Sequence, residues 1–325
     1  MSLKRININL LVFGLTAILF CSLISLRPIP KIDNANDTGR YIQAFHQFCA
    51  GSEITQAIDK ELSFVIFHWV TSPACLINSD RLFLFETAVF LPLIFLLFVA
   101  WGKATYFWAC SLMFSVTGLE LMTNAFRQGF ATLLFFGAIS LIKRHKYTAI
   151  FMVFLAAIAH SSVVYYIPLF AWFMYPIKFN KLFAILIGVL LSFYAVSVIF
   201  SIEVLSQLMA FINLYKTFYS EELNLSFIIF ISLPIFWIYG VQYYCGKGGI
   251  LIQEKAALFY TVTLLLFCYF LFPAILYRFA IFGVALQIFL AAQLKKSSRL
   301  ASGYVLIGSL LHLCIFLFTS KNYQL

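Results

Sequence analysis

Long apolar runs separated by short polar breaks dominate the chain. They cover Ile6–Leu26, Leu82–Ala100, Ala104–Leu121, Gly129–Ile142, Tyr147–Tyr175, Leu182–Ile202, Leu225–Tyr244, Ala256–Phe272, Phe279–Leu294 and Tyr304–Phe318. A bilayer core about 30 Å thick needs roughly 20 apolar residues per helical crossing, so the pattern predicts membrane-spanning helices. Arg27–Arg81 is the one long polar connection. Its apolar stretches Tyr41–Phe48 and Phe64–Val70 predict short interfacial helices over the mouth of the bundle. The first run, preceded by Lys4 and Arg5, resembles a signal peptide. It is long, however, and Arg27-Pro28-Ile29-Pro30 offers no small-residue cleavage site, so it is read as the first transmembrane helix.

Charge sets the direction of each crossing. The Lys143-Arg144-His145-Lys146 cluster and the Lys178/Lys181 pair flank Tyr147–Tyr175. A single crossing there would put the two groups on opposite sides and invert every later loop. Two half-helices that break near His160-Ser161-Ser162 and both return to the cytoplasm keep them together. With that break, Lys4, Arg5, Lys103, Lys143, Arg144, Lys146, Lys178, Lys181, Lys247, Lys255, Lys295, Lys296 and Arg299 all fall inside. Glu254 is the only acid among them, and every other Asp and Glu faces out. The expected fold is an all-α, polytopic transmembrane helical bundle of about nine full spans plus the broken pair. Residues 1–325 form a single integral membrane domain, with 27–81 as a periplasmic loop.

Composition narrows the function classes. With 63% hydrophobic residues, 10% charged residues and a mean hydropathy of +0.97, the chain carries more apolar surface than a soluble fold covers. The net charge of +10 is a topology signal: the basic residues are scattered over short loops without a stripe or recognition motif, so no nucleic acid is expected as partner. Of the seven cysteines, Cys21, Cys110, Cys268 and Cys314 sit in apolar runs as small hydrophobes. Cys49 and Cys75 share the outer loop, where an oxidising periplasm permits a disulfide that the sequence leaves open. Zinc-ligand spacing, a Gly-rich phosphate loop, an Asp-x-Asp pair and a Gly-x-Ser-x-Gly elbow are all missing, and neither a metal nor a cofactor is expected.

The candidate chemistry lies in the outer half of the bundle. Ala104–Ile142 must cross out and back in 39 residues, barely two spans, which puts Glu120, Asn124, Arg127 and Gln128 at or below the interface. Arg127 serves either as a lock on Glu120 or as a functional group, and the two readings are compatible. His160, at the break, offers a donor, a titratable base, or simply an interhelical hydrogen bond. Ser161 and Ser162 are N-cap residues for the returning helix, whose N-terminus would favour an anion. Arg278, after Pro273, either snorkels to headgroups or shares a cavity with Arg127 and His160. Arginine matches phosphate oxygens in bidentate fashion, so two of them suit a pyrophosphate. Asp37, Asp59 and Glu61 bring carboxylates to the outer loop, where most are solvated but one above a cationic cavity would serve as general base.

The run Asn124-Ala125-Phe126-Arg127-Gln128-Gly129-Phe130-Ala131, a basic turn, and Leu155-Ala156-Ala157-Ile158-Ala159-His160-Ser161-Ser162 with the following apolar run to Pro168 resemble the EpsG family of Wzy-type polysaccharide polymerases. Asp37 with Tyr41, Glu61 with Phe64, and Arg278 extend the likeness over most of the chain. The resemblance implies a GT-C-like, metal-independent inner-membrane glycosyltransferase with its active site facing the periplasm. It would transfer a growing O-antigen or exopolysaccharide chain from undecaprenyl pyrophosphate to a sugar hydroxyl of another lipid-linked repeat unit. Arg127, Gln128, Arg278 and Ser161 would hold the pyrophosphate, and His160, Asp37 or Glu61 would be the catalytic base. The family's aromatic tyrosine after the downstream arginine is replaced here by Phe279 and Phe282, and no sugar platform is assigned. Expected partners are the lipid-linked oligosaccharide and the bilayer, with a chain-length regulator and a flippase as protein candidates. A flippase or transporter of lipid-linked oligosaccharide, a membrane acyltransferase and an O-antigen ligase are the rival readings. Sugar identity and linkage are not legible.

Overall fold

In the computed structural model of the protein, helix is the only regular secondary structure among the described residues. These are residues 8–26, 37–51, 72–77, 79–89, 106–176, 225–245, 252–271, 273–293 and 299–319, with 181 and 188. For 8–12, 37, 40, 106, 225–228, 267–271, 273–275, 293 and 299 only the backbone is described. The helices are α1 (Ile8–Leu26), α2 (Asp37–Cys49), α3 (Pro73–Ile77), α4 (80–89), α5 (Tyr106–Met113), α6 (Val116–Met122), α7 (Phe126–Leu141), α8 (Lys146–Ala159), a 3-10 turn (Ser161–Tyr166), α9 (Ile167–Met174), α10 (Leu225–Cys245), α11 (Ile252–Leu271), α12 (Pro273–Gln293) and α13 (Arg299–Thr319). The predicted runs after Ile6, Ala104, Gly129, Leu225, Ala256, Phe279 and Tyr304 are thus helical. Phe64–Val70, Leu182–Ile202 apart from 188, and residues 90–100 of Leu82–Ala100 lie outside the described residues.

α12 is the axis of the bundle. Its sequence is apolar on every face, as suits a helix enclosed by others, and residues 279–292 are all buried. It opens on Pro273, whose fixed φ and missing N–H fit the first helical position, so Arg278 lies inside the helix and not in a connection. Gly283 lets α12 approach its neighbours: a Cβ there would stand 2.3 Å from Thr261 Cγ2 of α11 and 3.2 Å from Ile235 of α10. Gly308 of α13 does the same for Trp237 of α10, whose Nε1 would lie 2.2 Å from an added Cβ.

The outward faces are apolar. Tyr147, Phe151, Phe154 and Ile158 line one side of α8, and Leu300, Tyr304, Ile307 and Leu311 one side of α13, all exposed. In water such stripes would be association surfaces; in hydrocarbon they are at home. Leu300–Thr319 is the one helix among the described residues that is long and apolar enough by itself to cross a membrane.

The Tyr147–Tyr175 run is broken as expected, and it doubles back. Lys146, which opens α8, has its ammonium 4.0 Å from the ring centre of Tyr175, at the far end of α9, and donates to its hydroxyl. Twenty-nine residues of continuous helix would separate the two by more than about 40 Å, so the chain must reverse between them. The reversal falls at His160, whose backbone is extended (φ −160°, ψ 126°). α8 alone rises about 21 Å, so the hairpin reaches roughly two-thirds of the way across a bilayer core.

α2 forms where an interfacial helix is predicted, but its apolar face is covered by protein. Tyr41, Ile42, Ala44 and Phe45 are buried, and Phe45 stacks on Phe83 with ring centres 4.5 Å apart. A disulfide joins Cys49 to Cys75, His46 Nε2 lies 2.8 Å from Asp80 Oδ1, and Arg81 donates to the carbonyl of Ser25.

Candidate active site

The site is assembled from three helix beginnings. Ser115 caps α6, its Oγ accepting from the Gly118 N–H at 2.9 Å. Gly118 stands so close to α5 that a Cβ would lie 1.9 Å from the Leu112 carbonyl. The chain then turns through 123–125, where the N–H groups of Thr123 and Ala125 both donate to the Glu120 carbonyl. That compact turn starts α7 at Phe126 and places Arg127 and Gln128 in its first turn, with Glu120 and Gln128 buried and Arg127 half-buried.

α7 and α12 run parallel, side by side. Gln128 Nε2 donates to the Arg278 carbonyl at 2.6 Å, Phe135 meets Phe282 at 5.3 Å, and Phe136 stacks on Phe289 at 4.4 Å. Arg127 and Arg278 therefore stand at the same end of the bundle. The turn after α8 joins them: Arg278 Nη1 is 2.7 Å from His160 Nε2. His160 Nδ1 faces Ser162 Oγ at 2.8 Å and the Ser162 N–H at 3.1 Å.

The 3-10 turn is pinned from two further sides. Tyr166 donates to the Phe279 carbonyl at 3.2 Å and stacks on Phe282 at 3.9 Å, while the Tyr260 hydroxyl of α11 donates to the Tyr165 carbonyl. Over the same end lies the start of α2, where Thr38 Oγ1 donates to Asn124 Oδ1 at 2.7 Å.

Arg127, Gln128, His160 and Arg278 are thus brought together. Ser161 and Ser162 do not cap the returning segment. His160 is its N-cap, because the extended residue is the histidine and its ring nitrogen faces the Ser162 N–H; Ser161 is exposed in the first 3-10 position. The returning segment opens with six 3-10 residues before α9 begins. Asp37 opens α2 next to Thr38; its side chain and all of Glu61 lie outside the described residues. Phe279 and Phe282 are wholly buried and offer no face to a sugar. Thr38, Tyr166 and Tyr260 belong to the site's frame and carry no sequence expectation. The signal for the two tyrosines was a hydroxyl in an apolar run, which needs a partner once buried.

A family model described as EpsG family matches residues 9–323, nearly the whole chain. The chain belongs to the EpsG family. EpsG-type proteins are Wzy-like polymerases, and membership makes this chain a membrane protein of the exopolysaccharide or O-antigen polymerase type. The Arg-Gln and His-Ser residues that carry the resemblance are the ones that meet at the head of α7 and α12. No curated protein and no solved structure matches the chain.

Proposed function

We propose that this EpsG-type protein transfers a growing glycan from undecaprenyl pyrophosphate to a sugar hydroxyl of another lipid-linked repeat unit. The observation that carries the reading is that Arg127 and Arg278 stand at one end of two parallel helices, joined through Gln128, with His160 against Arg278. Paired arginines stay charged at any working pH and fit phosphate oxygens in bidentate fashion. Pyrophosphate is already a good leaving group, so the protein supplies orientation and positive charge where the glycosidic oxygen departs, in a GT-C-like mechanism without an obligatory metal. The attacking hydroxyl loses a proton, for which Asp37, Glu61 and His160 are the acceptors within the reading, and Ser161 adds a hydroxyl beside His160.

Two features support a lipid-linked donor on the periplasmic side. One turn along α7 from Gln128, a small, partly open apolar pocket is lined by Phe13, Met113, Leu121, Met122, Leu133 and Phe136. A cationic head beside an apolar pocket suits an amphiphile with an anionic headgroup. The Cys49–Cys75 disulfide belongs to the α2 layer that covers this end, and disulfides persist in oxidising compartments such as the periplasm. The bundle would then lie in the inner membrane.

The test is the product of Arg127→Ala and Arg278→Ala in cells. Both variants should insert normally and leave single-repeat glycans, with polymer reduced by at least about 100-fold. Full-length polymer from both would remove the assignment; acetylated sugar, a flipped but unextended unit, or glycan on the lipid A core would point instead to an acyltransferase, a flippase or a ligase.

A further inference from the structure

We infer that His160 is a positioning residue for Arg278, held as the neutral imidazole with its proton on Nδ1, and is not the base of the reaction. The inference rests on the polymerase reading for its chemical consequence, but the geometry stands without it. A neutral imidazole has one donor nitrogen and one acceptor nitrogen. Around His160 the demands exceed that supply. Arg278 can only donate, and its Nη1 is 2.7 Å from Nε2. The Ser162 N–H, also a donor only, is 3.1 Å from Nδ1. Both cannot be met by one acceptor.

The serine side chain decides between them. Ser162 Oγ lies 2.8 Å from Nδ1 and can accept as well as donate. With the proton on Nδ1, the ring donates to Ser162 Oγ and its Nε2 lone pair accepts from the guanidinium. The Ser162 N–H, aimed at Nδ1 from 3.1 Å, then loses its acceptor and faces a neutral donor, a smaller penalty than a charged guanidinium facing an N–H at 2.7 Å. With the proton on Nε2, two donors would face each other at 2.7 Å, one of them charged. Hydrogen bonds to charged groups are the stronger ones, so Arg278 takes the acceptor.

This fixes what His160 can do. Its Nε2 lone pair is engaged by Arg278, so it does not take the proton of an attacking hydroxyl while the guanidinium is in place. It sets the rotation of the guanidinium plane, while Gln128, wholly buried, holds the same residue by its carbonyl. Arg278 is therefore gripped at both ends, backbone and head.

The experiment has two arms on the full-length protein in nanodiscs. In the first, the protein is labelled with [15N]histidine, and the His160 signals are identified by their loss in His160→Gln; the expected pattern is a protonated Nδ1 and an unprotonated Nε2. In the second, polymer formation is compared for His160→Gln and His160→Ala. Glutamine places an acceptor oxygen near the former Nε2 but cannot serve as a base at neutral pH, so it should restore activity at least about tenfold over alanine. A protonated Nε2, or a glutamine variant no more active than the alanine one, overturns the inference. The labelling arm needs no turnover, so wild-type protein that makes no polymer would sink the polymerase reading and leave the tautomer result intact.

Discussion

At the scale of single residues, the site depends on side chains whose partners are main-chain atoms. Gln128 and Tyr166 each reach a carbonyl in the first turns of α12, and Tyr260 reaches the carbonyl of Tyr165. Such bonds leave no trace in hydropathy or in residue spacing, because every residue offers the same carbonyl. This is why Arg127, Gln128, His160 and Arg278 were legible as candidates while Tyr166 and Tyr260 were not. The extra positive charge at the outer end marked the arginines, but nothing marked Tyr166 or Thr38 apart from a hydroxyl that would need a partner. Arg278→Lys is expected to fail almost as fully as Arg278→Ala, since an ammonium lacks the planar fork that both His160 and a phosphate engage; chain-length analysis of the glycan product reads this directly. Gly118→Ala should destabilise the protein by about 1–3 kcal/mol, because its Cβ would meet the Leu112 carbonyl, and the loss would appear as a lower unfolding temperature in detergent.

At the scale of elements, helices were the readable part of the chain and their packing was not. Runs of apolar residues located α1, α7 and α10 to within three residues, whereas α11, α12 and α13 begin four to six residues before the expected runs. The charge clusters on both sides of Tyr147–Tyr175 demanded a reversal, and the Lys146–Tyr175 contact supplies it. What charge counting could not give was the depth of that hairpin or the 3-10 geometry after His160, both of which come from local backbone and neighbouring helices. Nor could it separate α12, enclosed on all sides, from α13, which keeps an apolar outer face; both are simply apolar in sequence. The hairpin makes a sharp prediction. Cysteines replacing Lys146 and Tyr175, in a chain where Cys21, Cys110, Cys245, Cys268 and Cys314 are replaced, should cross-link on mild oxidation. A continuous helix from 146 to 175 would leave them uncoupled, and gel mobility after proteolysis in the 160s distinguishes the two.

At the scale of the whole molecule, α2 is fastened to the bundle at both ends: by Thr38 to the turn before α7, and by the Cys49–Cys75 disulfide with the His46–Asp80 contact at the other. Removing the disulfide, whose cysteines are 26 residues apart, should cost about 3 kcal/mol, measurable as earlier thermal unfolding of Cys49→Ser/Cys75→Ser. Because α2 sits on Asn124, three residues before Arg127, the same variant should also lengthen or shorten the polymer, whereas a purely remote staple would leave chain length alone. The enclosure of α12 has a further consequence for how such a machine works. A helix walled in by neighbours along 279–292 and tied at its first turns is a stationary anvil. In the proposed polymerase, each round of elongation would bring sugar and lipid to Arg278, while the arginine stays where it is. Distances between spin labels on α7 and α12 should accordingly be the same before and after substrate is added.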